Sequence, residues 1–257
     1  MNILSWDVGV CNLAYCYLRY ADGKVVIHDW GKLNLCIEYH KCDESECCNQ
    51  AIYVGQNTTK DATTKDATTN TTIHRCKLHR QKGERLMDSV RSSKSIDDMR
   101  YCLYRWLENR NKLLGYAPDD VRNWLNADYV AIENQPALKN PGMKSMACAL
   151  YDYFLLRIRF GSEAPIAGVG APPTIKFVSA MKKTKTVLPS SILFVPPPDA
   201  ATIAEFGEMS KYKRTKIYGL WLCGCLLKKL DLDSTPIDSH TKKDDLADAF
   251  LQALTVV

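Results

Sequence analysis

Residues 2–30 read NILSWDVGVCNLAYCYLRYADGKVVIHDW. Residues 2–7 start apolar and end on Asp7, and Gly9 follows. Residues 12–20 and 24–30 continue with the aromatic and β-branched content of strands. Between them, Asp22-Gly23 is a hairpin signal, because both positions tolerate the positive φ that tight hairpin turns demand. The stretch therefore predicts a three-stranded antiparallel meander whose first strand ends on an acid.

Composition shifts beyond Leu35. Residues 36–82 are rich in Cys and His and poor in large apolar side chains. Within them, residues 57–72 hold a tandem pentapeptide, KDATT at 60–64 and again at 65–69. Such a segment has little to bury and predicts a flexible loop tip on an inserted subdomain. Helical spacing follows within residues 84–114, through Met99, Leu103, Trp106, Leu107, Arg110 and Leu114. Residues 128–133, DYVAIE, form a strand that again ends on an acid, Glu133. A helix over 143–160, a short strand over 166–171 and helices over 212–230 and 242–256 complete the pattern. Residues 196–198 are three consecutive prolines, which bar regular structure there. A meander followed by alternating helices and strands is an α/β arrangement: a mixed sheet with helices on both faces.

The chain of 257 residues is 46% hydrophobic and 25% charged, ordinary values for a folded protein and incompatible with wholesale disorder. The most apolar stretch, residues 217–227, is too short to cross a bilayer. No basic leader precedes Asp7, which falls where a signal peptide would be apolar, so an intracellular protein is expected. Eleven cysteines then argue for buried thiols and metal ligands ahead of a disulfide framework. The net charge of +5 permits a nucleic-acid partner without demanding one.

Four acids form the main constellation. Asp7 and Glu133 end strands, at the rim where open α/β sheets place their sites. Asp245 and Asp248, in KKDDLADAF, share one face of the last helix, and so do Asp244 and Asp248. Carboxylates that converge repel one another unless cations neutralise them, and all-oxygen ligands favour Mg²⁺ or Mn²⁺. In the insertion, Cys76-x-x-His79 is the spacing of half a zinc site. Cys42 with Cys48, or Cys47 with Cys48, supplies the other half. The preferred set is Cys42, Cys48, Cys76 and His79 around a structural Zn²⁺, with Cys47, Cys36 and His40 in reserve.

The segments ILSWDVGVCNLAY, AIENQPALKNPGMKSMACALYDYF and KKDDLADAFLQAL, in that order, resemble the poxvirus-type Holliday-junction resolvases of large DNA viruses. These belong to the RuvC-type branch of the RNase H-like superfamily. The resemblance covers most of the chain outside residues 36–82 and 182–210. It implies a single RNase H-like nuclease domain over 1–257, interrupted by the inserted subdomain. It implies Mg²⁺-dependent paired nicking of four-way DNA junctions by a homodimer, during viral recombination and replication in an infected cell. It selects Asp245 over Asp244, so that Asp7, Glu133, Asp245 and Asp248 hold two Mg²⁺ ions. It also places a catalytic lysine after the fifth strand, where Lys176 fits and Lys182, Lys183 and Lys185 lie close by. Two other classes stay open. Asp-x-Gly after a first strand also opens actin-like and sugar-kinase phosphotransferases, although no later Gly-rich phosphate hairpin follows here. A module that binds junctions without cutting them is the other.

Overall fold

The fold is taken from a computed structural model, which describes residues 1–35, 42–44, 47, 51–60, 68–87, 95–113, 123–135, 138, 140–160, 173–180, 183, 195, 198–199, 209–238 and 242–257. The meander forms as its sequence dictates. Strands β1 (Asn2–Val8), β2 (Asn12–Ala21) and β3 (Lys24–Asn34) pair antiparallel. Asp22 and Gly23 both take positive φ at the β2–β3 turn, as an Asp-Gly hairpin should. The β1–β2 turn also depends on a glycine. Gly9 donates its N–H to the Asn12 carbonyl at 3.0 Å, and a Cβ at Gly9 would stand 2.3 Å from that same oxygen. Only glycine fits this turn without moving backbone.

The insertion is more ordered than its composition predicts. Strands β4 (Tyr53–Lys60) and β5 (Thr68–Arg75) pair over eight residues, and the two-residue β6 (Arg85–Leu86) joins the other edge of β4. Strand therefore runs into both ends of residues 57–72. The threonines there are β-branched and suit an extended backbone. Residues 61–67, which take in parts of both repeats, lie outside the described residues.

Helix α1 (Ile96–Leu113), a short 3₁₀ turn (Trp124–Asn126), β7 (Tyr129–Glu133) and α2 (Pro141–Phe160) follow. The next strand is β8 (Thr174–Val178), a β-branched and aromatic run that begins just after Pro173. The strand expected over 166–171 falls outside the described residues. Helices α3 (Lys211–Lys229), α4 (Thr235–Asp238) and α5 (Asp244–Leu254) end the chain. The five-stranded main sheet has the order β3-β2-β1-β7-β8, with β1, β7 and β8 mutually parallel. This is the mixed α/β sheet that the sequence predicts. Among the described residues no helix is long and apolar enough to cross a membrane.

Strand alternation assigns each face its own core. Leu4, Trp6, Val8, Val130 and Ile132 point toward α1 and α2 and join Leu103, Trp106, Leu150 and Phe154. Ile3, Ala14 and Cys16 point the other way, toward Leu222 and Leu226 of α3 and Leu246 and Phe250 of α5. Because side chains alternate with period two, Asp7 and Glu133 fall on the α5 face. The parallel register pairs Trp6 with Ile132, so the two acids follow side by side at the carboxyl ends of their strands.

Two buried polar contacts fix α5 against that rim. Ser5 Oγ donates to the Ala249 carbonyl at 2.6 Å. Gln252 Nε2 donates to the carbonyls of Trp6 and Ala131, both at 3.1 Å, and so ties α5 to β1 and β7 together. Gln252 lies one helical turn after Asp248, and its anchorage sets where Asp248 points. Replacing Gln252 by Leu leaves two buried carbonyls without this donor. It should lower unfolding stability by on the order of 2–4 kcal/mol, read by urea titration. A loss within about 0.5 kcal/mol would show that α5 is positioned by its apolar contacts alone.

Candidate functional site

The end of β1, the end of β7 and the start of α5 enclose a cavity of about 420 Å³. Its lining includes Asp7, Gly9, Asn12, Glu133, Gln135, Lys183, Tyr212, Lys216, Asp245 and Asp248. All four acids singled out from the sequence thus reach one space. Asp244 does not line it and instead pairs with Lys216. The i,i+3 pair Asp245/Asp248 therefore faces the cavity, and Asp244 buttresses its wall.

Three of the acids converge on a single ammonium. Lys183 Nζ lies 2.7 Å from Asp7 Oδ1, 3.1 Å from Glu133 Oε1 and 3.4 Å from Asp248 Oδ2. Lys183 itself is only 2% exposed. The fourth acid, Asp245, is ion-paired with Lys32 of β3. Gln135 donates to Glu133 and, at 3.1 Å, to the Val8 carbonyl, which holds the Glu133 carboxylate beside β1.

The electrostatics follow from crowding and burial. Burial, reinforced by the charge of Asp7, pushes the Glu133 carboxyl up to about 8, against the pull of Lys183. Burial likewise lifts Asp248 to about 6, with Lys183 opposing and Asp7 adding to the rise. For Lys183, burial works against the charge, but Asp7, Glu133 and Asp248 outweigh it and keep the amine protonated. The carboxylates need positive charge beside them to ionise together. Their donor set is all oxygen, drawn from three rigid elements, and fits a small hard divalent cation.

The lysine at the centre is not the one expected. Lys176 lies within β8, not after the last strand, and pairs in register with Ala131. That is two residues, about 7 Å, short of the rim on which Glu133 sits. Its side chain is exposed, with the ammonium 6.0 Å from the ring centroid of Tyr129 at the far end of β7. Lys183 reaches the acids from the turn after β8, where its N–H donates to the Ala180 carbonyl. No periodic pattern in the sequence distinguished it from Lys182 and Lys185, which lie outside the described residues. Lys32 and Gln135 were likewise missed. Gln135, in the motif AIENQP, carried the clearer signal, since a polar residue two after a strand-end acid can reach back to it.

A second cluster lies in the insertion. Cys42, Cys47, Cys76 and His79 place one donor atom each within 4.8 Å of all the others. Cys42 Sγ is 3.4 Å and Cys76 Sγ 3.5 Å from His79 Nδ1, and Cys47 and Cys76 sulfurs are 3.8 Å apart. A tetrahedral ion with metal–sulfur bonds of ~2.3 Å needs sulfurs ~3.8 Å apart, so these donors have the right spacing. The hydrogen bond from Cys47, assisted by backbone N–H groups, lowers the Cys76 thiol to about 5 against the effect of burial. Cys47 stands in the cluster, while Cys48, Cys36 and His40 lie outside the described residues.

Comparison with known proteins gives a viral relative and two solved structures. The chain is 28% identical over 319 aligned positions to an uncharacterized protein, L451, of Acanthamoeba polyphaga mimivirus, covering 98% of this chain and 73% of that one. The yeast mitochondrial Holliday junction resolvase Ydc2 superposes with a TM-score of 0.45 at 14% identity, over 98% of this chain and 77% of the other. Fowlpox virus resolvase, solved with substrate Holliday junction DNA, gives a TM-score of 0.41 at 13% identity, over 100% and 96%. No family model matches the chain.

Proposed function

We propose that the carboxylate cavity is the active site of a divalent-metal-dependent, RNase H-like endodeoxyribonuclease that resolves four-way DNA junctions. The observation that carries this reading is the convergence of Asp7, Glu133, Asp245 and Asp248, from two strand ends and one helix, on one cavity. Such a donor set is suited to two Mg²⁺ ions, with Mn²⁺ as a substitute. When bound, the ions supply an activated water and stabilise the departing oxygen of a phosphodiester. The chain's own residues supply the rest. Asp7 and Glu133 hold the metal face from the sheet, and Asp245 and Asp248 from α5. Gly9 lines the cavity beside Asp7 and Asn12. Lys183 takes the role first given to Lys176, and with Lys216 brings positive charge to a phosphate inside the cavity.

The choice of four-way junctions as substrate rests on the resemblance of the three sequence motifs to poxvirus-type resolvases. Paired symmetric nicks need two such sites, so the acting species is a homodimer. The mimivirus relative suits a viral setting, and the motif resemblance adds the role, viral DNA recombination and replication, in the cytoplasm or viral factory of an infected cell. The Cys42, Cys47, Cys76 and His79 cluster holds a structural Zn²⁺, because all four tetrahedral positions come from protein and none is left for water. That ion staples a small sheet with little apolar core of its own.

With Mg²⁺, the protein should nick a synthetic four-way junction symmetrically and spare linear duplex. Asp7→Asn should reduce this by a factor of about 10³ or more, since it removes a ligand of the metal ions. EDTA should abolish it. Cleavage of an RNA–DNA hybrid alone would move the protein to the ribonucleases, and junction binding without cleavage would make it a recognition module. Protein purified without chelators should carry one zinc per chain by elemental analysis, and Cys76→Ser should lose it. A zinc-free wild-type protein that is folded would remove the metal from the insertion.

A further inference from the structure

Lys183 differs from the other cations at the site. Lys32 and Lys216 flank the acids, pairing with Asp245 and Asp244 respectively. Lys183 instead sits between acids, within 3.4 Å of one oxygen from each of Asp7, Glu133 and Asp248. A strand end, a second strand end and a helix thus present their carboxylates to one point, and that point is filled by an ammonium nitrogen. A divalent ion held at that same point would take one oxygen from each of the three residues at about 2.1 Å. An ammonium and a dication cannot both occupy that point, and at such a separation their charges repel.

We propose that Lys183 is a built-in cation of the metal-free site: its ammonium occupies the place a divalent ion takes among Asp7, Glu133 and Asp248, and metal entry displaces it into the adjoining cavity. This rests on the reading of the cavity as a metal centre. Room for the displaced group exists, since Lys183 itself lines the 420 Å³ cavity together with Tyr212 and Lys216. The stem of a lysine is four carbons long and turns without backbone movement. Two consequences follow. Without metal, the acids keep a neutralising partner and the rim stays assembled. With metal, the ammonium is delivered to the space where a substrate phosphate would lie, so metal loading and phosphate capture are coupled.

The test uses the full wild-type chain and an amine-acetylating reagent in short pulses, with each lysine read by mass spectrometry. Mg²⁺ calorimetry on the same sample reports whether metal binds. In EDTA, Lys183 should be protected while the exposed Lys176 reacts. Saturating Mg²⁺ should speed the Lys183 reaction about tenfold or more and leave Lys176 unchanged, as expected if the free-amine population rises with metal occupancy. If calorimetry shows Mg²⁺ binding and Lys183 stays protected, the lysine is a fixed structural partner and displacement is wrong, with the metal centre intact. Lys183 reacting as fast as Lys176 in EDTA would also overturn the proposal. An absence of Mg²⁺ binding would overturn the metal-centre reading and this inference together.

Discussion

Mutual repulsion among converging carboxylates is the constraint on which the rest of this structure depends. Carboxylates about 4 Å apart repel by ~4 kcal/mol at the effective dielectric of a protein surface, and Asp7, Glu133 and Asp248 crowd around one ammonium, each with an oxygen within 3.4 Å of it. The fold is arranged to hold them there nonetheless. Strand parity sends Asp7 and Glu133 to the same face, and the parallel register places them abreast. Gln252, bonded to the Trp6 and Ala131 carbonyls, prevents α5 from sliding away and carrying Asp248 with it. Around these, Lys183, Lys32 and Lys216 each neutralise part of the charge. Burial first, and the charge of Asp7 second, raise the Glu133 carboxyl to about 8, so the ionised acids gain from any positive charge placed among them.

Much of this was legible in the chain because it is local. The Asp22-Gly23 turn, the meander, the strand-end acids and the helical spacing of Asp245 and Asp248 all follow from periodicity and turn chemistry. The two cores follow as well, since Ile3 and Leu4 must face opposite ways in a strand. Long-range convergence was harder to read. Asp245 and Asp244 can each share a face with Asp248 on a helix, and packing against β1 and β2 turns Asp245 to the cavity and Asp244 to Lys216. Lys176 is expected after a strand and lies inside one, because the strand begins at Thr174, directly after Pro173. Lys183 belongs to a lysine-rich stretch without periodicity, and its role is set wholly by the tertiary fold.

The insertion makes a complementary point about composition. Its threonine-rich sequence has nothing to bury and so suggested a loop, yet β4 and β5 pair over eight residues. Threonine favours extended backbone even without an apolar face, and the ladder satisfies the backbone's own donors and acceptors. Such a ribbon has little core to secure it, and the base of the sheet is where Cys42, Cys47, Cys76 and His79 come together. Arg75 adds ion pairs to Glu44 and Glu84 at that base. The chain thus gathers two donor sets of opposite character, soft sulfur and imidazole in the insertion and hard oxygens at the cavity.

The most direct test of the central claim is a crystal of the protein grown with Mn²⁺ and measured for anomalous scattering. The account predicts anomalous peaks in the cavity, within about 2.1 Å of carboxylate oxygens of Asp7, Glu133 and Asp248. A map with no peak there at saturating Mn²⁺, and with the Lys183 ammonium still seated among the three acids, would contradict it.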